Sequence, residues 1–346
     1  MKKILLLLII ILISANVFSA DIHGVYVSTW NPGAFSKAEI DKTLNDAKKA
    51  HVTDLFIQVR RMDEAYYYSS FVRPADNLKE KFDMLNYVIR QAKNRNIKVH
   101  AWFVICRIAM GDYKKKLSEK QLSWLDKDIK GNYDNENNVF IDPSNYEARK
   151  YIASVIEEVV NKYKVEGVHL DYIRYPNANF GYSENSKLNY TLESGDIYPN
   201  GLRFDNFRRE QITKLIREIR QKTGKNIILS ASVTAWGKAA DYKNTSPYKT
   251  TFQDYEKWLD LNLVDYVMPM VYKREHIKEQ ADDYIKWLNV YSKYKNRIVP
   301  AIGGYLNTSD GIKKQIEKTE KQGFKNWVIF DFNEGKDREN VINALK

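Results

Sequence analysis

The feature that most constrains the fold of this chain is a repeated alternation of short β-like runs with helical patterns. The β-like runs lie at residues 24–29, 54–60, 98–105, 167–173, 227–233, 265–271, 298–302 and 327–332. Helical patterns lie between them, at residues 37–50, 82–94, 145–163, 204–223, 252–261, 277–294 and 311–322, and one more follows residue 335. Eight strand–helix units predict an α/β protein with a parallel sheet closed into a single (β/α)8, or TIM, barrel.

An open, doubly wound parallel sheet is the alternative fold for such an alternation. That fold ordinarily places a glycine-rich phosphate-binding turn after its first strand. Here the chain instead reads Ser-Thr-Trp-Asn-Pro-Gly over residues 28–33, which favours the barrel. Two connections are unusually long, at residues 107–144 and 175–203, and follow the third and fourth strands. Long loops in compact domains tend to be functional, so we expect them to wall one side of a cleft.

The first twenty residues have the pattern of a secretory signal peptide. Lys2 and Lys3 precede an apolar run at residues 4–13, and small residues follow up to Ala20. The run is short for a membrane span, although retention as an N-terminal anchor is the alternative. We therefore expect cleavage after Ser19 or Ala20, a mature chain of residues 21–346 without an integral membrane span, and export to the periplasm, cell envelope or medium.

The composition favours an anionic or carbohydrate partner outside the cytoplasm. The formal net charge is +11, but the basic residues are dispersed, so the sequence predicts an anionic envelope polymer rather than a nucleic acid as partner. The 24 tyrosines and 7 tryptophans offer flat apolar faces that suit stacking on sugar rings. The single cysteine, Cys106, lies in an apolar run and is expected to be a buried core thiol.

The fourth predicted strand ends in a group of polar and aromatic residues. Because alternate residues of a strand share a face, His169 and Asp171 should point one way and Leu170 and Tyr172 the other. A carboxylate at the C-terminal tip of a barrel strand is in the position where active sites of this fold are built. The sequence therefore predicts that Asp171 lies at the barrel mouth, with His169 close to it.

The other strand ends add polar and aromatic residues to the same mouth. Such a mixture suits a polyhydroxylated ligand, since every hydroxyl both donates and accepts hydrogen bonds. The predicted substrate-binding residues are Gln58, Arg60, Trp102, His169, Arg174, Tyr175, Trp236, Tyr272 and Glu334. The five histidines have no zinc-like spacing, and no nucleotide- or cofactor-binding motif is present. We therefore predict no metal and no cofactor, which disfavours a metal-dependent polysaccharide deacetylase.

Several segments resemble the glycosyl-hydrolase-like family 10 of exported bacterial proteins, and they run in family order. They are residues 56–60 (FIQVR) with 66–69, 100–103 (HAWF), 141–149, 166–176, 207–209, 265–272 (DYVMPMVY) and Asp331. The resemblance implies a TIM barrel that hydrolyses glycosidic bonds, with peptidoglycan or related envelope glycans as substrates. The chain departs from many relatives in one respect, because Tyr172 rather than a second acid follows Asp171.

Glycoside hydrolysis generally uses two carboxylates, one as acid and one as nucleophile or base. Asp171 is the first candidate. For its partner the sequence ranks Glu275 after strand six first, Asp331 of strand eight second and Glu334 third, with Asp63 a weaker fourth.

If the reaction retains configuration, Asp171 attacks the anomeric carbon, and Arg174 or His169 holds it ionised. A non-catalytic glycan-binding barrel is the alternative function. It would keep the aromatic residues and lack a second carboxylate within about 10 Å of Asp171.

Overall fold

The eight predicted strands form a closed parallel barrel in the computed structural model, which describes residues 21–346. The strands are β1 His23–Val27, β2 Asp54–Arg61, β3 Lys98–Val104, β4 Gly167–Asp171, β5 Ile228–Thr234, β6 Tyr266–Val271, β7 Ala301–Gly303 and β8 Trp327–Phe330. Strand β1 is hydrogen-bonded to both β2 and β8, so the sheet has no free edge. The predicted (β/α)8 barrel is confirmed, and the open sheet is excluded.

A main helix follows each strand and packs outside the barrel. These helices are α1 Lys37–Lys49, α2 Met84–Lys93, α3 Tyr146–Lys162, α4 Gly201–Thr223, α5 Tyr255–Asp260, α6 Lys278–Val290, α7 Ser309–Lys321 and α8 Lys336–Leu345. Short polar side chains cap several of them. Ser36, Asp83 and Asn145, for example, each accept a hydrogen bond from a backbone N–H in the first turn of α1, α2 and α3. Such caps satisfy N–H groups that have no partner within the helix.

The loop after β3 and the loop after β4 form one wall beside the barrel mouth. The first contains a three-stranded antiparallel sheet of Arg107–Met110, Asn138–Phe140 and Asp134–Asn135. The second contains the helix Glu184–Ser194. The buried Asp142 carboxylate joins the loops, because it accepts hydrogen bonds from the hydroxyls of Ser144, Ser183 and Ser186.

The remaining described elements are short and lie between the units of the barrel. They are the strands Glu64–Ala65 and Arg73–Pro74, the helices Glu119–Leu122 and Ser246–Lys249, and the 3-10 turns Gly111–Lys116, Tyr242–Asn244, Ser292–Arg297 and Gly304–Leu306. Among residues 21–346, no helix combines the length and apolar character needed to cross a bilayer. The predicted signal peptide, residues 1–20, lies outside the described residues.

The inside of the barrel is filled by side chains from alternate strand positions. One buried cluster contains Tyr26, Phe56, Trp102 and Met268 from four different strands. Below it, the His100 ring stacks on Phe56 and forms a 2.7 Å contact with Asp54 through Nε2. His100 is thus a core residue paired with Asp54.

Gly167 leaves the space that the His100 ring occupies. A Cβ at position 167 would overlap the imidazole and lie 2.8 Å from the carbonyl oxygen of Ile228. Because the second neighbour is backbone, the strands themselves would have to separate. We expect Gly167→Ala to lower the free energy of unfolding by about 2–3 kcal/mol, measured by urea denaturation. A change below about 0.5 kcal/mol would show that the barrel can relax around the added methyl group.

Candidate active site

A cavity of about 530 Å³ opens at the C-terminal ends of the barrel strands. Its lining is mostly aromatic, with a few polar groups. The lining residues are Tyr26, Trp30, Gln58, Trp102, Arg107, Asp171, Tyr172, Arg174, Ser232, Ala235, Trp236, Gly237, Met270, Tyr272, Lys273, Tyr305 and Phe330. The position and character of this cavity are those of a small-molecule or glycan site in this fold.

Asp171 is the carboxylate that lines this cavity, and it is 7% exposed. One oxygen, Oδ2, accepts a hydrogen bond from Trp102 Nε1 at 3.2 Å, and Oδ1 accepts one from the backbone N–H of Tyr172 at 2.8 Å. Burial raises the pKa of Asp171 above its ordinary value, although this N–H and the charges of Arg107 and Arg174 act against the increase. A carboxyl group in such surroundings is suited to donate a proton.

His169 lies beneath the cavity and does not line it. Its Nε2 is 3.0 Å from the Tyr26 hydroxyl and 2.8 Å from Ser232 Oγ, and its Nδ1 is 2.9 Å from Ser230 Oγ. Burial lowers the pKa of His169 to about 3, so the ring is neutral near pH 7. The sequence predicted that Arg174 or His169 holds Asp171 ionised. A neutral His169 ring carries no charge to do so, whereas the charge of Arg174 does lower the pKa of Asp171. The hydrogen bonds of His169 instead reach Tyr26 and Ser232, which do line the cavity.

Tyr172 is on the cavity side, contrary to the strand alternation predicted from sequence. Strand β4 ends at Asp171, and Tyr172 has a φ of +51°. This left-handed conformation interrupts the two-residue repeat, so the residues after Asp171 are no longer in strand phase. The Tyr172 ring consequently contacts the guanidinium groups of both Arg107 and Arg174, at 4.0 and 4.7 Å from its centroid.

The same change of phase explains the position of Tyr175. Its side chain is fully buried against Phe252, with ring centroids 5.5 Å apart, and it does not line the cavity. The prediction that Tyr175 binds substrate is therefore not supported by its position.

Two other predicted binding residues also lie away from the cavity. The Arg60 guanidinium is buried and donates to the carbonyl of Val104 and to Asp63 Oδ1, the latter at 3.2 Å. A register irregularity between Gln58 and Arg60 in β2 accompanies this orientation. Glu334 is half-exposed beyond β8 and pairs with Lys42. Both residues make structural ion pairs rather than reaching the cavity.

Gln58 lies in the cavity with an unused donor. Its Oε1 accepts from the backbone N–H and the hydroxyl of Thr29, at 2.9 and 2.7 Å. Its buried Nε2 has no hydrogen-bond partner among residues 21–346. Because an unpaired buried amide is costly, a ligand oxygen is the natural partner for this group.

Glu275, the first-ranked partner for Asp171, lies outside the cavity. Its carboxylate is ion-paired with Lys318 of α7, and its backbone N–H donates to Asn307 Oδ1 at 2.7 Å. A carboxylate neutralised by a lysine of an outer helix is held for packing rather than for chemistry in the barrel. The ranking that placed Glu275 first is therefore corrected.

Asp331 is the predicted carboxylate that remains close to the cavity wall. It follows Phe330, whose ring lines the cavity and stacks on Tyr272 with centroids 5.6 Å apart. Burial, with the charge of Asp337, raises the pKa of Asp331 to about 6. Burial also raises the pKa of the Tyr272 hydroxyl, and the negative charges of both Asp171 and Asp331 add to this increase. Tyr272 is therefore within electrostatic reach of both acids.

Exposed aromatic rings form the rim of the cavity. Trp30 is 37% exposed, and Trp236 and Tyr305 are each 46% exposed. Trp30 follows β1 and Trp236 follows β5, which lie on opposite sides of an eight-stranded barrel. Rings on two sides of an opening can hold an extended sugar chain by stacking.

We expect Trp236→Ala to raise KM for the glycan substrate about tenfold, equivalent to about 1.4 kcal/mol of lost binding. The kcat value should fall less, because stacking stabilises the bound substrate and the transition state alike. Steady-state kinetics measures both constants, and Tyr146→Ala, which removes an exposed ring of α3 outside the cavity, is the control. A destabilised variant with an unchanged KM would instead assign Trp236 to packing between loops.

The site prediction missed several residues that line the cavity. Trp30 and Arg107 each lie three residues after a strand end; the sequence places both at the barrel mouth, but they were not among the predicted substrate-binding residues. Tyr26 is an interior residue of β1 and Tyr172 depends on a backbone turn, and neither feature is visible in a hydrophobic pattern. Within residues 21–346, no group of three or more histidine, cysteine, aspartate or glutamate residues could hold a metal ion.

A (β/α)8 barrel with a carboxylate in an aromatic cavity at its C-terminal face has the architecture of the glycoside hydrolase barrels. The chain belongs to the glycosyl hydrolase-like 10 family, whose sequence model matches residues 21–325. This confirms the resemblance noted in the sequence.

Relatives agree with this assignment. Glycosyl hydrolase YngK of Bacillus subtilis (strain 168) is 27% identical over 283 residues, which are 76% of this chain and 54% of YngK. Glycosyl hydrolase DigH of Escherichia coli (strain K12) is 24% identical over 255 residues, 68% of this chain and 58% of DigH. The chain thus spans just over half the length of these relatives.

Among solved structures, the glycoside hydrolase domain of PgaB (BpsB) from Bordetella bronchiseptica has the same fold. It superposes with a TM-score of 0.70 at 11% identity, and the match covers 94% of this chain and 99% of that domain.

Proposed function

We propose that this protein is an exported glycoside hydrolase that cleaves glycosidic bonds in a cell-envelope glycan, with peptidoglycan strands as the favoured substrate. The observation that carries the proposal is Asp171, a buried carboxyl group with a raised pKa in an aromatic, sugar-sized cavity. Membership of a glycosyl hydrolase-like family supports it, as do relatives that are named glycosyl hydrolases.

In this proposal Asp171 is the general acid. Burial raises the pKa of Asp171 and so favours its protonated form, from which a proton can pass to the glycosidic oxygen as the bond to the leaving sugar breaks. The Trp102 and Tyr172 N–H groups then stabilise the carboxylate that forms. The sequence suggested a nucleophilic role for Asp171 instead; the acid role is preferred because burial raises its pKa.

Asp331 is the proposed second carboxylate. It follows Phe330 at the tip of β8, which lies across the barrel from β4. Its charge reaches the Tyr272 hydroxyl of the cavity lining. In its ionised form it would act as base toward water or as nucleophile toward the anomeric carbon. Tyr272, affected by both acids, would orient the sugar between them.

A non-catalytic glycan-binding barrel is the second candidate. The observation that favours it is that, among the described residues, Asp171 alone brings a carboxylate to the cavity lining. Such a protein would bind the same glycan through its aromatic rim and Gln58 without breaking bonds.

The deciding experiment is incubation of the purified protein with peptidoglycan, both intact and stripped of its peptides, followed by mass spectrometry of released fragments. Hydrolysis gives new reducing ends, each fragment pair having gained one water. Binding without any new reducing end would support the glycan-binding barrel, whereas neither binding nor cleavage would exclude an envelope glycan of this kind. Addition of EDTA should leave hydrolysis intact, because carboxylates alone are proposed to act.

We expect the exported chain to begin at residue 20 or 21. The charged start and apolar run at residues 2–13 are the physical features that the export machinery recognises. N-terminal sequencing of the protein recovered from the envelope or medium of its native cells measures this directly. Recovery of a chain that still begins at Met1 would show that the segment is retained as an anchor or is not an export signal.

A further inference from the structure

Two guanidinium groups in the cavity have no carboxylate partner among residues 21–346. Arg107 and Arg174 line the cavity and are only 8% and 6% exposed. Neither has a carboxylate oxygen within 4.0 Å in the described part of the chain. Several other buried arginines are ion-paired, as in Arg61 with Glu64 at 2.7 Å and Arg208 with Asp205 at 2.6 Å. Arg209 is buried without an ion pair, but it lies outside the cavity and donates to the Tyr248 carbonyl and to Asn206 Oδ1.

Both groups are held rigidly by aromatic rings. Arg107 lies over Tyr172 and over Trp30, 4.0 and 5.2 Å from the ring centroids, and Nη1 donates to the Tyr172 hydroxyl at 3.0 Å. Its buried Nε has no hydrogen-bond partner among residues 21–346. Arg174 lies over Trp236 at 4.7 Å, and its Nη1 donates to the carbonyl of Tyr175 at 3.3 Å. Donors fixed in this way lose little entropy when a ligand binds.

The charges in the cavity are unbalanced. The third cation of the lining, Lys273, is neutralised by Asp283 at 2.6 Å. Asp171 is the carboxylate of the described lining; it is within electrostatic reach of both arginines but forms no ion pair with either, and one carboxylate cannot balance two guanidinium groups. Two nearly buried positive charges therefore face the space that the ligand would occupy, and leaving them uncompensated is costly.

We propose that Arg107 and Arg174 form an anion subsite that binds a carboxylate carried by the glycan close to the cleaved bond. This inference rests on the proposed function and narrows it to acidic glycans, whose sugars bear free carboxylates such as the lactyl group of muramic acid. A guanidinium matches a carboxylate because its planar donors can form two parallel hydrogen bonds. Arg107 and Arg174 would thus determine specificity, while Asp171 performs the chemistry.

The test compares two substrates that differ only in charge. Peptide-free peptidoglycan strands are used with native carboxylates and after conversion of those carboxylates to amides. The native protein should have a kcat/KM at least about tenfold higher for the native strands. Arg107→Gln and Arg174→Gln should each bring the ratio of the two kcat/KM values toward one. Arg203→Gln, which removes an exposed arginine of α4, controls for net charge and should keep the ratio of the unmodified protein.

Three outcomes would overturn the subsite. The first is equal hydrolysis of both strands by the unmodified protein, which would leave the proposed function standing. The second is an equal loss on both strands in the arginine variants together with a shifted pH profile, which would mean that the arginines only position or tune Asp171. The third is equal calorimetric binding of native and amidated strands to the Asp171→Asn variant. This measurement decides the subsite if neither strand is cleaved and the proposed function therefore fails. Tighter binding of the native strands would support the subsite.

Discussion

Asp171→Asn is expected to lower kcat for glycan hydrolysis by about 10³-fold or more. Asparagine keeps the size of the side chain and can still accept a hydrogen bond from Trp102, but its amide N–H is far too weak an acid to protonate a leaving oxygen. Because the charged form is disfavoured by burial in the native protein, its removal should not destabilise the fold. Measurement of new reducing ends gives kcat, and a thermal melt verifies folding.

Glu275→Gln is the matched control, since it makes the same carboxylate-to-amide change outside the cavity. It should retain hydrolysis and lose at most about 1 kcal/mol from its partly exposed pair with Lys318. Unchanged turnover by Asp171→Asn would remove Asp171 from the chemistry. If Glu275→Gln alone greatly lowered the hydrolysis rate, Glu275 would again be the leading candidate for the second catalytic carboxylate.

Asp331→Asn is expected to lower kcat/KM by about 10²-fold or more and to remove the acidic limb of the pH profile. The proposed role requires the ionised form, and the pKa of Asp331 is about 6. Activity of the native protein should therefore fall as the pH drops through 6, because protonation removes the base or nucleophile. The pH dependence of kcat/KM, which reports groups of the free enzyme, is the measurement.

The same substitution should stabilise the fold at neutral pH. A carboxyl group whose pKa is higher in the folded than in the unfolded state favours folding at low pH, and this contribution is lost as the pH rises from about 4 through 6. Asn carries no charge to bury, so the variant should gain up to about 3 kcal/mol at pH 8 relative to the native protein. Lower activity with higher stability would mark Asp331 as functional, whereas a loss of both would mark it as structural.

These two expectations separate the acids by their environment rather than by their place in the chain. Asp171 is held by Trp102 and the N–H of Tyr172 inside the cavity, whereas Asp331 is buried directly after Phe330, the last residue of β8. Both carboxyl groups thus have raised pKa values, but Asp171 alone belongs to the described cavity lining. If both variants retain activity, the glycan-binding barrel becomes the better description.

The sequence alone was sufficient to predict the (β/α)8 barrel, because the strand and helix patterns that specify it are local and repeat eight times along the chain. Strand and helix periodicities depend on neighbouring residues, and eight repeats leave little choice of fold. The ends of strands could be read in the same way, which placed Gln58, Trp102, Asp171, Arg174, Trp236 and Tyr272 at the cavity that the structure contains.

Orientation beyond a strand end was decided only by the tertiary structure. The left-handed turn at Tyr172 brought that ring into the cavity and took Tyr175 out of it. Lys318 and Glu275 are 43 residues apart in the chain, so no local pattern could reveal the pair that removes this acid from the site. Burial likewise made His169 neutral and raised the pKa of Asp171. A hydrophobic pattern reports which way a regular element faces, whereas pairing, charge state and irregular backbone depend on neighbours that only the folded chain supplies.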